Sequence, residues 1–248
     1  MSAVGTEVAP GVLRLGSERV NFYAVEQDGR VTIVDAGLSG YWEQVEPALR
    51  GIGRSLDDVA ALVLTHAHSD HTGVAGELHA RGVPIYLHPE DHQLLETGKE
   101  SWKRERSQLS PLRHLRAYPF LFHMARNGAL KPPHIEDARP IADGDELDVP
   151  GRPRVIHTPG HTPGHCALYF TQNSTLIVGD LMCTWHPLLG RTGPQIMPAS
   201  FNVSSAQCLE SLKRIEGLFA NVTLPGHGEP WTGTPAEAAA KARETGPS

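Results

Sequence analysis

The sequence predicts a mixed α/β fold, built as two stacked layers of sheet and helix that meet at a shared edge. Two observations predict it. Short apolar strand-like runs alternate with stretches of helical spacing, the pattern of mostly buried sheets covered by helices. The two halves of the chain are also built alike: each lays down several strands, ends one in a His- or Asp-bearing loop, and follows it with a helix. The 248 residues fit a single domain spanning 1–248. Hydrophobic residues at 40% and charged residues at 20% suit a soluble globule.

Residues 7–36 read as three strands. Val8 to Leu15 runs to a Gly16-Ser17 break, Val20 to Val25 alternates, and Arg30 to Val34 follows a Gln27-Asp28-Gly29 hairpin turn. Asp35, ahead of Ala36 and Gly37, is either a turn residue or the edge of a site. Ser39 to Ile52 spaces Trp42, Val45, Leu49 and Ile52 as a helix, with Ser39 as N-cap. Ala61 to Leu64 is a short buried strand, Thr72 to Arg81 a short helix and Pro84 to Leu87 the next strand.

Residues 92–135 differ in character and read as a helical insertion. A helix from His92 to Glu100 leads into a basic run with Lys99, Lys103, Arg104 and Arg106, then Arg113, Arg116, Arg126 and Lys131. Apolar residues are interleaved, among them Trp102, Leu109, Leu112, Leu115, Tyr118, Phe120, Leu121, Phe122 and Met124, and Pro111 and Pro119 break the segment into two or three short helices. It is either a solvated hairpin with a core-facing stripe or a lid giving an apolar wall and one or two cations to an anionic substrate. Beyond it, Arg154 to His157, Ala167 to Phe170 and Thr175 to Val178 are strands, and residues 183–202 read as irregular. Val203 to Phe219 spaces as one amphipathic helix, Asn221 to Leu224 as a strand and Pro235 to Arg243 as a terminal helix.

The chemistry concentrates where the strand Ala61–Leu64 ends, in Thr65-His66-Ala67-His68-Ser69-Asp70-His71-Thr72-Gly73. Inside a strand core such side chains would be buried polar groups needing partners. On a strand-to-helix loop they converge instead. His66 and His68 are two apart, so both rings lean to one side in extended backbone; Asp70 and His71 fall past the turn and aim at a second point. Three later strand ends add His161, Asp180 and His227, each preceded by a glycine that lets backbone turn and approach closely. Five His and two carboxylates exceed one tetrahedral zinc and suit two divalent metals sharing a bridging carboxylate and water. Such a pair ionises the water at neutral pH and stabilises negative charge on an attacked carbonyl or phosphoryl group. The chemistry implied is hydrolysis.

These residues resemble the metallo-β-lactamase-fold hydrolases: the His66-Ala67-His68-Ser69-Asp70-His71 signature, then Gly160-His161, Gly179-Asp180 and Gly226-His227 in the family's order. The resemblance implies an αββα sandwich, two mixed β-sheets flanked by helices, with the metals at one edge. It implies that His66, His68 and His161 hold one metal and Asp70, His71 and His227 a second, with Asp180 bridging and Asp35 beside the site. The metals implied are two Zn2+ ions, although the ligand types alone do not choose zinc over iron, manganese or cobalt. His165 is given a structural part. The nearest branches are the lactonases and glyoxalase II-like enzymes. Lactonases of similar length carry all seven ligands and a helical insert, and place a Tyr donor downstream of the bridging Asp. No Tyr follows Asp180 here, which leaves His186 or a residue of the insert as candidate donors. The activity implied is attack of a metal-bridging hydroxide on a lactone, ester or thioester carbonyl, with Asp70 carrying a proton to the leaving group. The alternatives are a phosphodiesterase using the same metals and an iron-dependent persulfide dioxygenase.

A net charge of −6 and a pI near 6.1 argue against a general nucleic-acid binder. The expected partner is a small molecule, anionic or acyl-bearing. Cys166, Cys183 and Cys208 are odd in number and widely spaced, which points to a reducing, cytoplasmic compartment. The first residues show no signal sequence and no apolar run is long enough to span a bilayer, so no membrane partner is expected.

Overall fold

The computed structural model describes residues 5–107 and 110–248; Leu109 of the insert and the first four residues of the N-terminal reading lie outside them. The first sheet takes its strands in chain order: β1 (Thr6–Ala9), β2 (Val12–Ser17), β3 (Val20–Gln27), β4 (Arg30–Val34), β5 (Val59–Val63), β6 (Ile85–Leu87) and β7 (Arg139–Pro140). β1 to β4 pair antiparallel, and β4 to β7 run parallel. Parallel neighbours need crossovers: α1 (Trp42–Gly51) lies between β4 and β5, α2 (Ala75–His79) between β5 and β6, and α3 (Pro89–Thr97) and α4 (Tyr118–Arg126) between β6 and β7. The second sheet starts with β8 (Arg154–His157), β9 (Cys166–Phe170) and β10 (Thr175–Gly179) as an antiparallel meander. A ribbon of β11 (Cys183–Trp185) and β12 (Thr192–Gln195) follows, then α5 (Ser205–Ser211) and α6 (Lys213–Glu216). They return the chain to β13 (Val222–Pro225), which pairs in parallel with β10. Helix α7 (Pro235–Thr245) is the last element.

Side-chain alternation decides the layers. Along β3, Phe22 and Ala24 face one way and Tyr23 and Val25 the other. The first pair packs with Val45, Leu49, Leu78 and Leu95 of the helices. The second packs with Phe170, Ile177 and Leu224 of the other sheet. On that sheet's far side Leu176 and Val178 meet Cys208, Ile215 and Ala238. Helix, sheet, sheet and helix are thus glued by three apolar layers, in which each fully buried Leu or Phe contributes about 2 kcal/mol. This is the αββα sandwich that the resemblance implies.

Five local readings change. Residues 6–34 hold four strands, because Gly11, in the left-handed region at φ +71°, turns the chain after Pro10 inside what reads as one apolar run. Ser39 does not cap α1; it opens a short 3-10 turn and its hydroxyl donates to the Asn127 carbonyl at 3.3 Å. Pro119 sits in the first turn of α4, where no N–H is needed, and so starts the helix instead of breaking it. The Val203–Phe219 helix is two short helices meeting at Leu212, and residues 183–202 contain the β11–β12 ribbon. The Asp28-Gly29 turn is as expected, with both residues at positive φ, 52° and 84°.

Candidate metal centre

Four strands end at one edge of the sandwich, and each delivers donors there. The loop after β5 carries His66 to His71, the loop after β8 carries His161, Asp180 directly follows β10, and the turn after β13 carries His227. The rings of His66, His68 and His161 stand nearly perpendicular in every pairing, 85–88°, with centroids 4.7–4.9 Å apart. They face one corner like three walls. Their donor atoms lie within 4.8 Å of one another, and so do those of Asp70, His71 and His227. Asp180 stands between the two groups. Its Oδ2 is 3.3 Å from His161 Nε2 and 3.2 Å from His227 Nε2, and its Oδ1 is 3.4 Å from His71 Nε2. All seven residues of the sequence reading therefore meet in one place.

Outer partners set which nitrogen faces inward. His71 Nδ1 donates to Asp35 Oδ2 (2.9 Å), His161 Nδ1 to Asn202 Oδ1 (3.0 Å), His66 Nδ1 to Thr65 Oγ1 (3.0 Å) and His227 Nδ1 to the Arg19 carbonyl. Each ring thereby turns its Nε2 toward the centre. His68 is reversed: its Nδ1 lies 2.9 Å from His161 Nε2, and its Nε2 looks out at Glu100 Oε1, 3.6 Å away. Arg104 clamps Glu100 from the other side.

Asp35 settles between its two readings by being both. Its backbone turns the chain in the left-handed region (φ 58°), and its carboxylate also accepts from Thr65 N at 2.7 Å, beneath the His cluster. His165 is structural: its Nε2 accepts from Asp180 N (3.0 Å) and its Nδ1 meets Thr158 Oγ1 (2.9 Å). Burial holds that imidazole neutral, with its pKa down to about 3. His186 is not the missing donor. Its Nδ1 accepts from Leu188 N and Leu189 N and its Nε2 meets Ser248 Oγ, away from the donor cluster.

Two contributors escape sequence reasoning. Asn202 lies in a stretch read as irregular. Asp91 looks like an ordinary first-turn acid of α3, yet it is fully buried and accepts from Ala67 N (3.1 Å), Thr162 Oγ1 (2.7 Å) and Gly164 N (2.8 Å). It ties the His66/His68 loop to the His161 loop. A second staple crosses between the sheets: Asn21 Nδ2 donates to the carbonyls of Pro225 (3.0 Å) and Gly228 (2.7 Å), and Tyr23 Oη donates to Pro225 O (2.6 Å). These bonds hold the His227 turn.

The electrostatics suit a cation. Burial and the neighbouring imidazoles push His66 well below its usual pKa, and burial does the same to His161, so both are neutral ligands in waiting. Burial also opposes protonation of His71, but Asp180, Asp35 and Asp70 outweigh it and pull His71 well above its usual value. Three carboxylates converging on one imidazole make a field that asks for positive charge. His66 Nε2, His71 Nε2 and Asp180 Oδ1 are buried without a hydrogen-bond partner. Each such orphan costs about 1–3 kcal/mol, and a bound cation would satisfy all three.

Above the donors lies a chamber of about 420 Å³, whose apolar wall comes from the insert: Leu112, Phe120, Leu121, Met124 and Leu130. Met197 and Phe201 close the far side, and Arg104 is the one cation lining it among the described residues.

A model of the metallo-beta-lactamase superfamily matches residues 15–227. The probable metallo-hydrolase YflN of Bacillus subtilis (strain 168) is 28% identical over 254 residues, 94% of this chain and 89% of its own length. Exodeoxyribonuclease WalJ of Streptococcus pneumoniae is 34% identical over 109 residues, 44% of this chain but 39% of that protein. The crystal structure of TTHA1623 in a di-iron-bound form matches with a TM-score of 0.62 and 28% identity, covering 92% of this chain and 96% of that one. With the fold, the donor order and these matches agreeing, the chain belongs to the metallo-beta-lactamase superfamily of metal-dependent hydrolases.

Proposed function

We propose that the chain is a dinuclear metal-dependent hydrolase that opens an ester-type carbonyl, in a lactone, ester or thioester, bearing an apolar acyl group. The observation that carries this is the apolar chamber seated directly on the convergent donors. Its volume lies in the small-molecule range of about 300–1,000 Å³. In this reading His66, His68 and His161 would hold one ion and Asp70, His71 and His227 the other, with the Asp180 carboxylate placed between the two groups. Two Zn2+ ions fit the N/O donor set, and iron fits it as well, as the di-iron relative illustrates. When bound, the metals supply an ionised water at neutral pH and polarise the scissile carbonyl.

The chain's own residues do the rest. The insert wall positions the acyl group and excludes water from the reacting centre. Asp70 lines the chamber with its Oδ2 3.5 Å from His227 Nε2, where it can take the proton released on attack and hand it to the departing oxygen or sulfur. Water adds across the C–O or C–S bond, giving a carboxylate and an alcohol or thiol.

The phosphodiesterase reading draws support from the partial match to WalJ. Against it, Arg104 is already neutralised by Glu100, so the chamber offers no free cation to a phosphate among the described residues. The test is metal analysis plus a substrate panel on the loaded protein: carboxylic esters of graded acyl length, lactones, thioesters and a nitrophenyl phosphodiester. Two ions per chain and turnover that rises with acyl length are expected. Faster turnover of the phosphodiester than of every acyl substrate would refute the proposal.

A further inference from the structure

The insert carries an exposed surface that begins at the chamber's rim and extends beyond the site. Between Lys99 and Lys131 the chain has eight Lys and Arg against two Glu, while the whole chain has a net charge of −6, so everything outside this segment is strongly acidic. The same segment holds Leu112, Leu115, Tyr118, Phe122 and Leu130, exposed at 51%, 83%, 48%, 68% and 80%. Among the described residues, Phe219 is the one other large hydrophobic exposed to this degree, so the exposure is concentrated.

The five side chains make one patch. Tyr118 and Phe122 are one turn apart on α4 and share a face. The Tyr118 hydroxyl donates to the Leu112 carbonyl at 3.0 Å, and Leu112 and Leu130 both stand at the chamber. Cations flank it along the chain: Arg113 and Arg116 on the turns before α4, Arg126 one turn beyond Phe122, and Lys131 beside Leu130. All four are exposed, and none pairs with an acidic side chain among the described residues.

We infer that this face docks on an anionic lipid surface. An apolar patch by itself would suit a second copy equally well. The rim decides between them. Pairing two copies face to face about a twofold axis sets like cations against each other. Anionic headgroups instead neutralise the rim while Leu115, Tyr118 and Phe122 enter the acyl boundary. The acidic remainder of the chain is repelled by the same surface, which fixes the orientation with the chamber facing the lipid. The expectation of no membrane partner rested on the lack of a spanning segment; interfacial docking needs none.

The test is sedimentation with vesicles, which reads binding without turnover and so is independent of the hydrolase reading. Vesicles of phosphatidylcholine mixed with phosphatidylglycerol are compared with phosphatidylcholine alone. The parent protein partitions to the mixed vesicles and is released at about 1 M salt, where the Debye length is near 3 Å. Arg113→Gln/Arg116→Gln/Arg126→Gln weakens partitioning about a hundredfold. Leu115→Ser/Phe122→Ser weakens it about tenfold or more at low salt, with an unchanged unfolding midpoint because both side chains are exposed. Equal partitioning to both vesicle types, or to neither, overturns the inference. So does a dimer in sedimentation velocity that Phe122→Ser dissociates, or capture of a single-stranded oligonucleotide in preference to vesicles.

Discussion

Replacing Asp91 by alanine removes an acceptor that water does not reach and on which three donors depend. The amides of Ala67 and Gly164 lose their only partner among the described residues, and the Thr162 hydroxyl is free to turn elsewhere. Two orphaned buried amides cost about 1–3 kcal/mol each. Part is returned, because burying the carboxylate is itself unfavourable: burial raises the Asp91 pKa against the pull of its three donors. The expected net destabilisation is about 3 kcal/mol, read as a shift in the urea midpoint at constant m. The local consequence is sharper. Ala67 lies between His66 and His68, and Thr162 follows His161, so the clamp registers three ligands of one proposed ion and none unique to the other. A chelator titration should show one ion weakened and its neighbour retained. Asp91→Asn keeps one acceptor oxygen and should fall between the two. If Asp91→Ala unfolds within about 1 kcal/mol of the parent and holds both ions equally, the clamp argument is wrong.

Three further outcomes follow from the same geometry. A Cβ on Gly226 would lie 2.3 Å from Asp180 Oδ1 and 2.6 Å from His71 Cε1, so Gly226→Ala should drop metal content toward one ion per chain and abolish turnover, with the circular dichroism spectrum unchanged. Met124→Trp should fill the chamber and lower kcat/KM for long acyl esters by about tenfold or more while sparing acetyl esters; uniform loss at every length would count against the chamber as the acyl site. Burial works against the charge on Glu100, but hydrogen bonds from His68 and Arg104 outweigh it and hold its pKa at about 2, below the usual 4.5. A depressed carboxylate stabilises the fold above pH 4.5 and loses that contribution as pH falls toward 2. Partial solvent access limits it to about 1 kcal/mol, so acid titrations of the parent and Glu100→Gln should converge near the lower end of that window.

The candidate donors were legible in the sequence by itself. His66 to His71 form a cluster with no use in a strand core, and glycines ahead of His161, Asp180 and His227 mark sharp turns at strand ends. Residue type and local spacing carry that information, because ligand chemistry and strand alternation are properties of neighbours in the chain. Local pattern also misled where a turn was chemically quiet, as at Gly11 inside an apolar run and at Leu212 inside an amphipathic one. What tertiary structure alone decided are the relations between segments far apart. Asp91 bonds to Thr162 and Gly164 across 71 and 73 residues, and Asn21 bonds to Gly228 across 207. The inward nitrogen of each imidazole depends on partners as distant as Arg19 and Asn202. The insert became a chamber wall and, continuous with its rim, an exposed basic, apolar face only because α4 packs over the donor edge. No periodicity reports such pairings, since the chain closure that brings them together is a property of the whole packed core.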